Sequence, residues 1–300
     1  PYDDIAPPGG LPPELAAGNP LRPAPLDESL SLVEAAIKAV DGTGGGRIRL
    51  CPGPSNPGRC SDALLTAVQA MAERLDTPVH VHLLETKIQA DLARNRYGRS
   101  MVAHLDDIGF LTDRLSCAHT IWLDEDDIGR MSARGAIPVH NPESNLKLGS
   151  GISPIAKMLA AGMTVALGTD GASTNDNLDM HEVMRIAVML QRPFEPDRSR
   201  WPDAADALRM ATGNGDKAMR RPGLGTLAVG APADFTLHDL DTPFWTPLRD
   251  PAAQLVFGAS ASTVHTVVVA GRVLVEEGHL IAFDPGPILA EARDLARHLD

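Results

Sequence analysis

Apolar residues recur along this chain at two alternating periods, and each change of period marks a candidate strand or helix. From Leu26 to Val40 the residues Leu30, Val33 and Ile37 fall at helical spacing with alanines between them, and the glycine-rich stretch Gly42 to Gly46 ends the run. Arg47 to Cys51 then reads as a strand, and Ser61 to Leu75 as a helix with Ser61 as its N-cap. Further strands are expected at Pro78 to Leu84, Leu115 to His119, Ala136 to His140 and Thr164 to Gly168. Helical patterns separate them, among them Ser100 to Ile108, Glu125 to Ala133 and Pro154 to Ala161, and Leu178 to Leu190 and Ala204 to Met210 close the series. After Gly225 the period shortens: Ala233 to Leu237, Thr263 to Val269 and Arg272 to Val275 read as strands, with Ala270-Gly271 as a tight turn. The Pro- and Gly-rich stretch Pro1 to Asn19 reads as a loop.

Residues able to do chemistry sit where the apolar runs stop. His82-Leu83-Leu84-Glu85, Ala118-His119, His140-Asn141-Pro142-Glu143-Ser144-Asn145 and Gly168-Thr169-Asp170-Gly171 each follow a strand-like run. In a (β/α) barrel the C-terminal ends of the strands face one pocket, so these distant residues are expected to converge. A lone His82 would read as a satisfied core histidine, and a lone Asp170 before Gly171 as a turn former. In series they read as a metal-ligating imidazole and carboxylate. His80 is read as a deeper, supporting or core residue, and Lys147 as a solvated loop charge.

The order HxxE, AH, HNPxSNLKL and TDG resembles the amidohydrolase superfamily, in particular the branch of triazine hydrolases, guanine deaminase and adenosylhomocysteine deaminase. The resemblance runs from about Arg47 to Leu280. It implies an α/β chain: an incomplete (β/α)8 TIM barrel, strands four to eight, over residues 1–224, followed at 225–300 by the C-terminal half of a small β-sandwich and a terminal helix. It implies His82, Asp170 and His119 as ligands of one divalent metal, zinc or alternatively iron. Glu85, His119 and Asp170 become the catalytic residues, with Glu85 moving a proton to the ring or the leaving group. Ser55, Asn56, His140, Asn141, Asn145 and Thr174 become substrate contacts on a rim whose loop, His140 to Gly151, covers the substrate. Asn141, Ser144 and Asn145 are also expected to knit that loop to itself through Asx-type turns.

Three departures from the family pattern shape the expectation. Members carry a His-x-His pair at the end of the first barrel strand, and no segment before Arg47 offers one, so the chain reads as the C-terminal two thirds of a longer enzyme. Arg47 to Cys51 holds no lysine that could bridge two metals after carbamylation, which points to a mononuclear site. Between Gly53 and Ser61 the family often has a histidine and an aromatic residue, whereas Ser55 and Gly58 stand here, which weighs against an adenosine-like substrate. The expected reaction is hydrolytic deamination of an amino-substituted nitrogen heterocycle, a purine, pyrimidine or triazine. Dechlorination or ring amide hydrolysis are the alternative chemistries. A non-catalytic remnant, or a subunit completed by a separate polypeptide, is the rival of another class.

Composition narrows the setting. Three hundred residues with 43% hydrophobic content suit one large domain and a small appendage. The net charge of −12 argues against nucleic acid or an anionic membrane as partner, and Arg94, Arg96 and Arg99 read as a solvated helix end. The 3 cysteines lack CxxC spacing, which fits a reducing cytoplasm better than a disulfide framework. No run approaches the roughly 18 apolar residues of a membrane span. The expected partner is a small heterocyclic substrate, with homo-oligomerisation left open.

Overall fold

A computed structural model describes residues 25–298, so the loop expected at Pro1 to Asn19 lies outside the described residues. The first sheet has four parallel strands in sequence order, β1 (Val79–Leu83), β2 (Leu115–His119), β3 (Ile137–His140) and β4 (Ala166–Leu167). Helices cross between them, as parallel pairing demands: α3 (Lys87–Tyr97) and α4 (Met101–Asp107) after β1, α5 (Glu125–Arg134) after β2, and α6 (Pro142–Lys147) and α7 (Ile155–Ala160) after β3. Before the sheet run α1 (Leu26–Val40) and α2 (Asp62–Leu75), and after it α8 (Ala172–Asn175), α9 (Met180–Met189), α10 (Ala204–Ala211) and α11 (Gly213–Met219). This is a partial (β/α) barrel.

Local chemistry sets the ends of these elements. Ser61 caps α2 by accepting the Leu64 N–H at 3.1 Å. Asp124 and Asp127 form a reciprocal capping box at the start of α5, and Gly135, with φ 73°, ends that helix in the left-handed conformation. Val79, Val81 and Leu83 on β1 are fully buried and join Leu105, Phe110, Leu115, Ile155 and Met158 in the main core. Each such side chain contributes about 1.5–3 kcal/mol through burial. The intervening His80 and His82 point to the other face of the strand.

The strand expected at Arg47 to Cys51 does not form. Its donors are taken locally: Ile48 N–H bonds Thr43 O at 3.2 Å and Leu50 N–H bonds Asp41 Oδ1 at 2.8 Å. Pro52 and Pro54, which follow, have no N–H to offer a ladder. The next residues nevertheless run along the outer edge of β1, where Pro52 O and Ser55 O accept the N–H groups of His80 and His82 at 3.3 and 3.2 Å.

The second sheet is antiparallel, β5 (Phe235–His238), β6 (Val264–Val269), β7 (Arg272–Glu276) and β8 (His279–Leu280), also in sequence order. Helix α12 (Pro251–Phe257) lies between β5 and β6, and α13 (Gly286–Ala296) follows β8. Arg185 ties this part to the first by donating to Val256 O and Ala259 O. Among the described residues no helix is long and apolar enough to cross a membrane.

Candidate active site

Parallel register places the expected residues side by side. Leu83 pairs with His119, Ala118 with Val139, and His140 with Leu167, so the four strands end at one level. The chain turns sharply there: Leu84, His119, Thr120 and Asp170 all have positive φ, at 51°, 74°, 45° and 63°. Non-glycine residues in that region are strained, and such strain concentrates at functional sites.

His119 is the centre of the cluster and is 1% exposed. Its Nδ1 lies 2.9 Å from Asn145 Oδ1, which only accepts, so Nδ1 carries the proton and Nε2 presents a lone pair. Around that nitrogen stand Glu85 Oε2 at 3.9 Å and Asp170 Oδ2 at 4.0 Å. The His82 ring stacks on His119 with centroids 5.5 Å apart. Its Nδ1 donates to Ser55 O at 2.7 Å, which again leaves Nε2 free. Two stacked imidazoles that spend their Nδ1 protons on fixed oxygens and keep bare Nε2 atoms match the support that metal-ligating histidines receive. The donor set of two nitrogens and the Asp170 carboxylate therefore suits a divalent ion such as zinc. Among the described residues no three His, Cys, Asp or Glu side chains stand close enough to enclose such an ion.

Asp170 accepts from Ser144 Oγ at 2.6 Å and from Gly171 N–H at 2.7 Å. Partial burial works to raise its pKa, but these two bonds and the imidazoles of His119 and His82 outweigh it and hold the carboxyl below its ordinary range. His140 is fully buried, and neither ring nitrogen has a hydrogen-bond partner among the described residues. Burial, with His119 nearby, pushes its pKa down to about 3, so it is neutral. Asn145 Nδ2 and Thr120 Oγ1 are likewise buried and unpartnered. Buried polar atoms left open in this way call for a ligand or water.

The remaining expected residues divide. Asn141 is buried, and its Oδ1 lies 2.5 Å from where a Cβ on Gly168 would stand, so β4 approaches β3 closely at that point. Asn56 Oδ1 caps the short turn Pro57–Arg59 by accepting Gly58 N–H at 2.8 Å, and half-buried Thr174 donates to Gly171 O at 3.1 Å. His80 is a supporting residue as expected: Ser116 Oγ donates to Val79 O and accepts from His80 Nδ1 at 2.8 Å, and burial, with His82 and His119 adjacent, lowers its pKa.

Three expectations need correction. The covering loop His140 to Gly151 contains a helix, α6, started by Pro142 in its first turn, where a missing N–H costs nothing. Ser144 and Asn145 do not spend their side chains on that loop but reach across to Asp170 and His119. Lys147 is not merely solvated, since it pairs with Asp176 at 2.5 Å. Ser144 and Glu143 were missed as site residues. The signal available was their position beside Asn145 on one short turn between the His140 and Asp170 strand ends.

With this geometry in view, comparison with known proteins is informative. The 5-methylthioadenosine/S-adenosylhomocysteine deaminase of Nitratidesulfovibrio vulgaris is 40% identical over 251 residues, 84% of this chain and 57% of that protein. The 5'-deoxyadenosine deaminase of Methanosarcina acetivorans is 38% identical over 263 residues, 88% of this chain and 60% of that protein. The chain thus spans less than two thirds of the length of these curated relatives. Among solved structures, a zinc-bound adenosine deaminase from Xanthomonas campestris superposes with a TM-score of 0.86 at 33% identity, covering 91% of this chain and 62% of the other. The atrazine chlorohydrolase of Arthrobacter aurescens TC1, complexed with zinc, also gives 0.86, at 30% identity and 92% and 61% coverage. The amidohydrolase family pattern matches residues 13–274, and the chain belongs to that family.

Proposed function

We propose that the protein is a metal-dependent hydrolase that removes the amino group from an adenosine-like heterocycle, with His82, His119 and Asp170 holding the metal and Glu85 moving protons. The observation that carries this reading is the approach of Glu85, just past β1, and Asp170, just past β4, to one imidazole nitrogen, His119 Nε2, at the end of β2. Zinc is the metal proposed, with iron as the alternative; when bound, it supplies the Lewis acidity that makes water a usable nucleophile at neutral pH.

The protein's own groups do the rest. Asp170, with two carboxylate oxygens, is placed to take up the proton that the attacking water gives up, while the His119 Nε2 lone pair serves the metal. Glu85, whose Oε2 lies 3.9 Å from His119 Nε2, gives its proton to the ring nitrogen; the amino group leaves as ammonia with the proton taken from water, and the hydroxyl left on the ring carbon returns its proton to Glu85 as it becomes the carbonyl. His140 and Asn145 Nδ2 offer their open polar atoms to the substrate, with Asn141 beside them. Ser55, Asn56 and Thr174 complete the rim; Ser55 does so by fixing His82.

Ser55 and Gly58 weigh against an adenosine-like substrate, but the deaminase names of the 38–40% identical relatives weigh more. Dechlorination rests on a 30% identical neighbour and would use the same residues. In the full-length enzyme, Glu85→Gln should keep its metal while ammonia release from 5'-methylthioadenosine or adenosine falls by about 10²-fold or more. Metal loss in that variant, read by elemental analysis, would make Glu85 a ligand and defeat the assignment.

A further inference from the structure

The short helix α6 carries Ser144 and Asn145, which hold Asp170 and His119, while its Glu143 faces away from them toward α8 and α9. Glu143 Oε2 accepts from Asn175 Nδ2 on α8, while Asn175 Oδ1 accepts Leu178 N–H at 2.6 Å. Glu143 Oε1 is out of solvent and has no partner among the described residues. From α9 two further carboxyls act on it: Glu182, which accepts from Asn177 Nδ2 at 2.5 Å, and Asp179, which accepts from His181 and from Ala261 N–H. The Lys147–Asp176 pair closes the outer side of the same contact between α6 and the segment after α8.

A charged Glu143 in this setting would bury one oxygen without a donor and face two other carboxylates. As a neutral acid it escapes the repulsion and the larger cost of a buried charge, and still accepts from Asn175. We propose that Glu143 is the positioning residue of this rim: its bond with Asn175 clamps the turn bearing Ser144 and Asn145 onto α8, and gain or loss of one proton at Glu143 sets how tightly the clamp holds. The importance of that turn rests on the functional reading above; the clamp itself does not. In keeping with it, burial, then Glu182, pushes the Glu143 carboxyl up to about 7. The sign follows from linkage. A carboxyl raised in the folded state stabilises the fold fully below its unfolded value of 4.5, and that contribution is lost as pH climbs to about 7.

The test uses the full 300-residue chain with isotope-labelled glutamate and needs neither metal nor substrate, so it stands or falls apart from the proposed activity. The Glu143 carboxyl carbon should titrate near neutrality. Over the same span, exchange of the amides of Asn145 on α6 and Leu148 at its C-cap, corrected for its intrinsic rise with pH, should accelerate by about tenfold or more, the factor carried by one pK unit of coupling. Glu143→Gln, which keeps the acceptor without the proton, should abolish that acceleration. A carboxyl midpoint below pH 5, or α6 amides indifferent to the titration in the wild-type chain, would overturn the proposal even if the Gln variant failed to fold. So would a Gln variant that kept the wild-type pH response.

Discussion

At the scale of single residues, the site depends on which ring nitrogen of each histidine is committed. Asn145 and the Ser55 carbonyl fix the protons of His119 and His82 on Nδ1, and that choice makes both Nε2 atoms available. Asn145→Ala should therefore do two things. It leaves a buried Nδ1–H unpartnered, which costs about 1–3 kcal/mol and should show as a lower midpoint in urea unfolding. It also frees the ring to take the other tautomer, so in the full-length enzyme turnover should fall more than substrate affinity; a variant with unchanged stability and kcat would show that the bond is dispensable. The sequence announced His82, Glu85, His119 and Asp170 because a motif fixes residue types at fixed spacing. It did not announce the partner of Ser144, since a serine's partner 26 residues away is set by packing and leaves no local pattern.

At the scale of elements, the strand ends matter most, because just past β3 and β4 the Asn141 side chain packs closely against the Gly168 backbone. Gly168 permits this: a Cβ there would meet Asn141 Oδ1 at 2.5 Å and the Val139 side chain at 3.2 Å. Gly168→Ala should push Asn141 aside and cost about 1–3 kcal/mol, measurable by thermal or denaturant unfolding; a neutral result would mean that the rim yields easily at this point. Most helices were legible from periodicity and capping, as the limits of α2, α5 and α10 show. The lost strand at Arg47 to Cys51 was not, because its alternating pattern promises a strand only if a neighbour accepts the ladder. Asp41, Thr43 and two following prolines removed that possibility.

At the scale of the whole molecule, the partial barrel brings together two imidazole nitrogens and one carboxylate, none of which forms a closed cage among the described residues. A catalytic zinc ordinarily needs three well-placed protein ligands, and here exposed His82 and the 4.0 Å gap between His119 and Asp170 leave the shell loose. The 300-residue chain should accordingly bind zinc weakly, losing it on dialysis. One zinc per chain retained through gel filtration would show that these three residues suffice.

Residue type and spacing alone determined the family, the alternation of strand and helix, and the identity of the metal and proton-transfer candidates, because those are properties of local pattern. Only the tertiary structure decided that Ser144 and Asn145 serve Asp170 and His119 rather than their own loop, that the expected covering loop contains the helix α6, and that Glu143 meets Asn175 and the carboxylates at the start of α9. Each of those depends on the distance between segments far apart in sequence, and a hydrogen bond or a shifted carboxyl exists only once folding has fixed that distance and removed the water between them.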